Sequence, residues 1–150
     1  MRDWPGMSGP LVHVPDPLFP TDALVTNLAE TVAPRYRVVT VAPRGSSPLQ
    51  VDAVDLFGVL VQFGFTTPVL VGERLGCVTA LLVSAWYPDR VAGLVLFEPI
   101  YAAPNIVSIA ARALRDCPPD LAALRTAIRC PVLEAESVEQ IEPFLTATLP

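Results

Sequence analysis

One stretch near the middle of the chain, TPVLVGERLGCVTA, constrains the fold more than any other. Residues 69–71 form a short apolar run that is typical of a strand buried on both faces. Gly72 and Gly76 follow, and residues 77–85 are an apolar, helix-compatible segment. Two glycines at a strand-to-helix turn let the helix begin close to the sheet, and they hold a residue between them in a strained, exposed conformation. The sequence therefore predicts a sharp turn with Arg74 at its tip.

Segments with strand and helix patterns alternate along the rest of the chain. Predicted strands cover residues 11–14, 36–41, 69–71, 91–97 and 130–135. Predicted helices cover residues 22–32, 49–63, 77–85, 106–116, 118–128 and the segment after a capping box at residues 137–140. Apolar strands that alternate with helices predict an α/β fold with a parallel sheet and right-handed crossovers.

Length and composition describe a single domain and exclude several function classes. The chain has 150 residues, 52% of them apolar, and a net charge of −5. Residues 1–9 are polar and contain proline and glycine, so we expect them to be disordered, with one domain over residues 10–150. An acidic chain argues against a nucleic acid or an anionic membrane as partner. With no apolar leader and no run of about 18 apolar residues, we expect a cytoplasmic protein.

Three cysteines at uneven spacing predict neither a disulfide framework nor a zinc site. We expect no metal and no cofactor. Cys77 lies near the predicted turn, and two roles are open for it. It is either a small side chain that fills the core, or a reactive thiol whose pKa is lowered at a helix N-terminus.

The motif GERLG resembles the G-x-S-x-G nucleophile elbow of the α/β-hydrolase superfamily. Four further segments resemble that superfamily in the right order: PLVHVPDP, RVVTVAPRGSS, VDAVDLFGVLVQFGF and YPDRVAGLVLFEP. The resemblance implies a minimal three-layer sandwich of about five mostly parallel strands flanked by helices. It also implies a truncated member without a cap domain, because the match thins beyond residue 99.

On this resemblance, the catalytic triad of the superfamily is degenerate. Arg74 stands in the nucleophile position, and a guanidinium stays protonated and cannot attack a carbonyl. The only histidine, His13, lies in a predicted strand, where we expect a core or edge residue. Pro15 and Asp16 replace the His-Gly pair of the oxyanion turn, and Pro17 has no N–H to donate. A Ser-His-Asp hydrolase is therefore not expected.

The resemblance places several charged residues at the carboxyl edge of the sheet, where open α/β folds bind ligands. Glu98 follows residues 91–97, where some superfamily members carry the triad acid, and it is the candidate catalytic acid or base. Each carboxylate alone could instead be a solvated strand end. The candidate ligand-binding residues are Asp16, Glu73, Arg74, Leu75 and Glu136.

Arg74 itself has two readings. A guanidinium at a helix N-terminus is a candidate clamp for a carboxylate or phosphate group. Alternatively, Arg74 forms an internal salt bridge to Glu98 or Glu73 and fills a dead site.

Three functions remain open from the sequence. The first is a non-hydrolytic enzyme of bacterial specialised metabolism, of the cyclase, epimerase or lyase type, acting on a small organic or peptidic substrate with an anionic group. The second is a ligand-binding or protein-interaction pseudo-hydrolase, and the third is a residual hydrolase that uses Cys77. The superfamily strand that would flank residues 36–41 is missing, which predicts an exposed sheet edge and hence a two-fold homodimer.

Overall fold

The computed structural model describes residues 2–41, 49–99 and 121–149. Its strands are β1 (Arg2–Trp4), β2 (Ser8–Val14), β3 (Tyr36–Thr40), β4 (Val69–Glu73), β5 (Gly93–Phe97) and β6 (Val132–Ala135). Its α-helices are α1 (Ala23–Val32), α2 (Leu49–Gln62), α3 (Gly76–Trp86), α4 (Leu121–Ala127) and α5 (Ile141–Thr148). The helix predicted over residues 106–116 lies outside the described residues.

The strands form one six-stranded sheet in the order β1-β3-β2-β4-β5-β6. All neighbouring pairs are parallel except β1 with β3. Side chains alternate between the two faces of the sheet. Val12 and Leu70 belong to the core on the α2 and α3 side, whereas Leu11 and Val69 pack with α1 and α5 on the other side. The result is the predicted three-layer α/β sandwich, and no further domain is inserted within the described ranges.

The N-terminal segment differs from its prediction. Residues 2–4 form β1, which pairs antiparallel with β3, and β2 begins at Ser8. An edge strand needs only backbone hydrogen bonds, so polar residues can form one without an apolar pattern. The Arg37 guanidinium also donates hydrogen bonds to the Asp3 carboxylate, at 3.0 and 2.6 Å. Residues 2–4 and 8–9 thus lie in strands where disorder was expected.

Because β1 covers β3, the strand predicted as an exposed apolar edge lies inside the sheet. The edge on which the homodimer was predicted is therefore not available, and the homodimer itself stays a prediction. None of the helices in the described part of the chain has the length and apolar character needed to cross a bilayer.

Candidate functional site

Arg74 lies between the end of β4 and the start of α3, with a φ of 54°. This left-handed conformation costs a residue with a side chain about 1–2 kcal/mol. Two backbone hydrogen bonds hold it: the Arg74 N–H donates to the Phe97 carbonyl at 3.0 Å, and the Arg74 carbonyl accepts from the Cys77 N–H at 3.1 Å. The structure thus places a cation at the strained tip of the strand-to-helix turn.

The two glycines of the turn are required by close backbone contacts. A Cβ on Gly72 would lie 2.7 Å from the Cys77 Cα, and a Cβ on Gly76 would lie 2.3 Å from the Val14 carbonyl oxygen. Both distances are well below van der Waals contact, so a side chain at either position would push α3 away from the sheet. The glycine spacing therefore brings the N-terminus of α3 against the ends of β2 and β4.

The partner of Arg74 is Asp16, at the end of β2. The Arg74 Nε–H donates to Asp16 Oδ2 at 3.2 Å, and the Leu18 N–H donates to Asp16 Oδ1 at 2.9 Å. The Asp16 side chain is 2% exposed, whereas that of Arg74 is 42% exposed. The internal salt bridge that one of the two readings of Arg74 predicted is therefore present, but its partner is Asp16 and not Glu98 or Glu73. Among the described residues, the terminal nitrogens of Arg74 have no hydrogen-bond partner. Their N–H groups can therefore donate to a bound anion.

A second buried polar group lies beside this pair. The His13 ring bonds through Nε2 to Glu73 Oε2 and through Nδ1 to Thr40 Oγ1, both at 2.8 Å. His13, Glu73 and Thr40 are all buried, on the neighbouring strands β2, β4 and β3. Of the core or edge position that the sequence predicted for His13, the structure has the core position, but the pairing of His13 with Glu73 was missed. Only the strand order, which the sequence pattern does not reveal, brings the two residues together.

The remaining predicted site residues occupy different positions at the same edge. Glu98 follows β5, is exposed, has a φ of 46°, and donates its N–H to the Ala135 carbonyl at 3.2 Å. Glu136 follows β6 and is also exposed. Both line an open groove at the carboxyl ends of β5 and β6. Leu75 as a whole residue is only 1% exposed and packs in the core on the α2 and α3 side, so neither its side chain nor its backbone is open to a ligand.

The thiol of Cys77 is not activated. Burial raises the pKa of Cys77 from 9.0 to about 12, partly offset by a hydrogen bond from its Sγ to the Phe97 carbonyl at 3.8 Å. The core-filling reading of Cys77 fits this environment. A nucleophilic thiolate, which the residual-hydrolase hypothesis needs, does not.

A separate pocket of about 480 Å³ lies between α2 and the segment after β2. Val14, Pro15 and Pro17 line one side, and Thr79 contributes from α3. Glu73, Arg74 and Glu98 do not line this pocket, which the sequence did not predict. Within the described ranges, no three histidine, cysteine, aspartate or glutamate side chains cluster in a way that could hold a metal ion.

No protein-family model matches the sequence, and no curated protein matches it. Solved structures do resemble it. An α/β hydrolase enzyme from a sediment metagenome of the Mar Chica lagoon, Morocco, has a TM-score of 0.67 and 14% identity, with 97% of this chain and 90% of that chain covered. The N-formylmaleamic acid deformylase of Pseudomonas putida has a TM-score of 0.69 and 16% identity, covering 97% and 82%.

A third similar structure is the bottromycin epimerase BotH in complex with bottromycin A2, with a TM-score of 0.55 and 24% identity. The match covers 64% of this chain and 42% of the BotH chain. Identities this low show the fold and do not transfer an activity. With its central parallel sheet, its turn at Arg74 and these likenesses, the chain has the α/β-hydrolase fold.

Proposed function

We propose that the protein is a non-hydrolytic enzyme that binds the carboxylate of a small organic or peptidic substrate on Arg74 and moves a proton on that substrate. The reaction class is isomerisation, cyclisation or elimination. Such reactions need a positioned substrate and an acid or base, but no attacking side chain. A carboxylate at the same sheet edge, for which Glu98 is the candidate from the sequence, would act as that acid or base.

The observation that carries the proposal is how the Arg74 guanidinium is held: one of its nitrogens is bonded to Asp16, and its two terminal nitrogens have no partner among the described residues. Asp16 holds its Nε, so the planar group is oriented before a ligand arrives. The terminal nitrogens are free of partners among the described residues, and they match the two oxygens of a carboxylate. The neighbouring N-terminus of α3 adds a favourable field for an anion.

The surroundings of the turn do not support hydrolysis. The nucleophile position holds a guanidinium, and both ring nitrogens of His13 are engaged inside the sheet. The thiol of Cys77 is held neutral by burial. That the similar structures include an epimerase as well as hydrolases is compatible with other chemistry on this fold.

A ligand-binding or interaction protein is the second candidate. The exposure of Glu98 favours it, because a carboxylate surrounded by water is a weak base. The Arg74 site would then hold a ligand without changing it.

Binding of pyruvate, a small monocarboxylate, tests the proposal through NMR chemical-shift titration of the arginine N–H signals. We expect pyruvate to shift the Arg74 signal, and Arg74→Gln to weaken binding about tenfold or more, since charge-assisted hydrogen bonds are lost. Arg35→Gln is the matched control: Arg35 pairs with Glu142 at the opposite edge of the sheet, before β3. Equal pyruvate affinity in wild type and Arg74→Gln would refute the proposal.

A further inference from the structure

The proposed function leaves unused the buried group formed by His13, Glu73 and Thr40. Glutamate side chains are rarely buried in proteins. Here Glu73 is buried together with His13, at the carboxyl end of the strand that leads into Arg74. The His13 ring is held at both nitrogens, by Thr40 and by Glu73, at 2.8 Å each. In the neutral ring, the Nε2–H donates to the Glu73 carboxylate while Nδ1 accepts from the Thr40 hydroxyl.

Glu73 has the position that a proton-transfer group needs. It is the last residue of β4 and is joined directly to Arg74. His13 holds its Oε2, whereas Oε1 has no hydrogen-bond partner among the described residues. The Glu73 side chain retains 9% exposure, so the carboxylate lies largely out of water but is not sealed. Glu98, by contrast, is exposed to solvent.

Building on the proposed function, we propose that Glu73 is the catalytic base and acid of the Arg74 site and that His13 positions it. Glu73 Oε1 takes a proton from a carbon of the bound substrate. The C–H bond breaks, the proton becomes the Glu73 carboxyl proton, and the electron pair stays on the substrate as an enolate. Glu73 then returns the proton to the same or a neighbouring atom, so the step consumes no co-reactant.

His13 contributes by fixing the carboxylate. Its Nε2–H holds Oε2, and the Thr40 hydroxyl holds the other ring nitrogen, so the ring is oriented from both sides. A partner that is itself buried and hydrogen-bonded limits the rotation of Glu73, and such orientation is what general-base catalysis requires.

The experiment follows the exchange of the pyruvate methyl protons for deuterium in D₂O by NMR, at saturating pyruvate. We expect the wild type to catalyse exchange and Glu73→Gln to slow it about 100-fold or more, the usual contribution of a general base. Glutamine keeps the shape of the side chain and can still accept from the His13 Nε2–H, so the fold should be preserved. Glu30→Gln, an exposed change on α1, serves as the control and should exchange like the wild type.

The positioning role of His13 is tested through Thr40→Val, which removes the hydroxyl while keeping the volume. We expect the exchange rate per folded molecule at saturating pyruvate to fall while the KM for pyruvate stays unchanged. A general loss of folding would not lower the rate in this way, because the remaining folded protein would exchange at the wild-type rate per molecule. Exchange that survives in Glu73→Gln, or that is lost in Glu98→Gln instead, overturns the assignment to Glu73 and leaves the proposed function standing. Bound pyruvate that never exchanges overturns the assignment to Glu73 together with the proton transfer of the proposed function, and leaves carboxylate binding by Arg74. Pyruvate that does not bind at all overturns the binding step as well.

Discussion

Gly76→Ala is expected to destabilise the protein strongly, although alanine normally favours a helix. The added Cβ would lie 2.3 Å from the Val14 carbonyl oxygen and 2.5 Å from the Pro15 carbonyl oxygen. These are backbone atoms at the end of β2, so no side-chain rotation relieves the overlap. Either the start of α3 or the end of β2 must move. Overpacking of this kind costs about 1–3 kcal/mol, and contact with the backbone places this case near about 3 kcal/mol.

Gly58→Ala makes the same chemical change in another helix, with the opposite expected sign. Gly58 lies inside α2, and a Cβ there would meet no atom within 4 Å. Alanine should therefore stabilise the protein by about 0.5–1 kcal/mol through its higher helix propensity. The pair of variants separates the effect of the residue type from the effect of the close contact at the turn.

Thermal unfolding of wild type and both variants, followed by circular dichroism, measures the difference. For a domain of this size, a change of 1 kcal/mol shifts Tm by about 2–4 °C. We expect Tm to rise by about 2 °C in Gly58→Ala and to fall by about 6–12 °C in Gly76→Ala. A Gly76→Ala protein as stable as Gly58→Ala would show that the turn at Arg74 is not packed as described.

Three further predictions concern the site and its surroundings. Arg74→Ala should destabilise the protein by about 2 kcal/mol at pH 7, because buried Asp16 loses a charge-assisted hydrogen bond. In urea unfolding, the double variant Arg74→Ala/Asp16→Asn should be more stable than Arg74→Ala alone. The pKa of Cys77 is raised from 9.0 to about 12 in the folded state. The unfolded thiol therefore ionises first, and stability should fall by about 1.4 kcal/mol per pH unit above pH 9 through this group; Cys77→Ala should remove that slope in thermal scans. Purified protein should not hydrolyse p-nitrophenyl acetate above the buffer rate in a 405 nm absorbance assay, and turnover abolished by Cys77→Ala would restore the residual-hydrolase hypothesis.

Local patterns were enough to predict the α/β fold. The unbroken apolar run in β4 and the two glycines around Arg74 are each visible within a short stretch of chain, although the contact that requires Gly76 is with the distant Val14 carbonyl. The three-layer sandwich follows because parallel strands need helices on both faces. β1 escaped prediction because its pairing with β3 depends on backbone groups, which every residue carries.

The pairings within the site escaped prediction for a different reason. Arg74 and Asp16 are 58 residues apart, and Glu73 and His13 are 60 apart. Their contacts depend on the placement of β2 directly beside β4, and periodicity within a segment carries no information about strand order. The sequence identified Asp16, Glu73 and Arg74 as residues at the carboxyl ends of the strands and offered an internal salt bridge of Arg74 as one alternative, but it did not identify Asp16 as the partner.

A crystal structure of the protein with pyruvate bound would test the role of Arg74 most directly. We expect the pyruvate carboxylate within about 3 Å of the terminal nitrogens of Arg74, with Asp16 still bonded to Nε. Pyruvate bound elsewhere, for example in the pocket between α2 and the segment after β2, with the Arg74 guanidinium untouched, would contradict an anion-binding function for this turn.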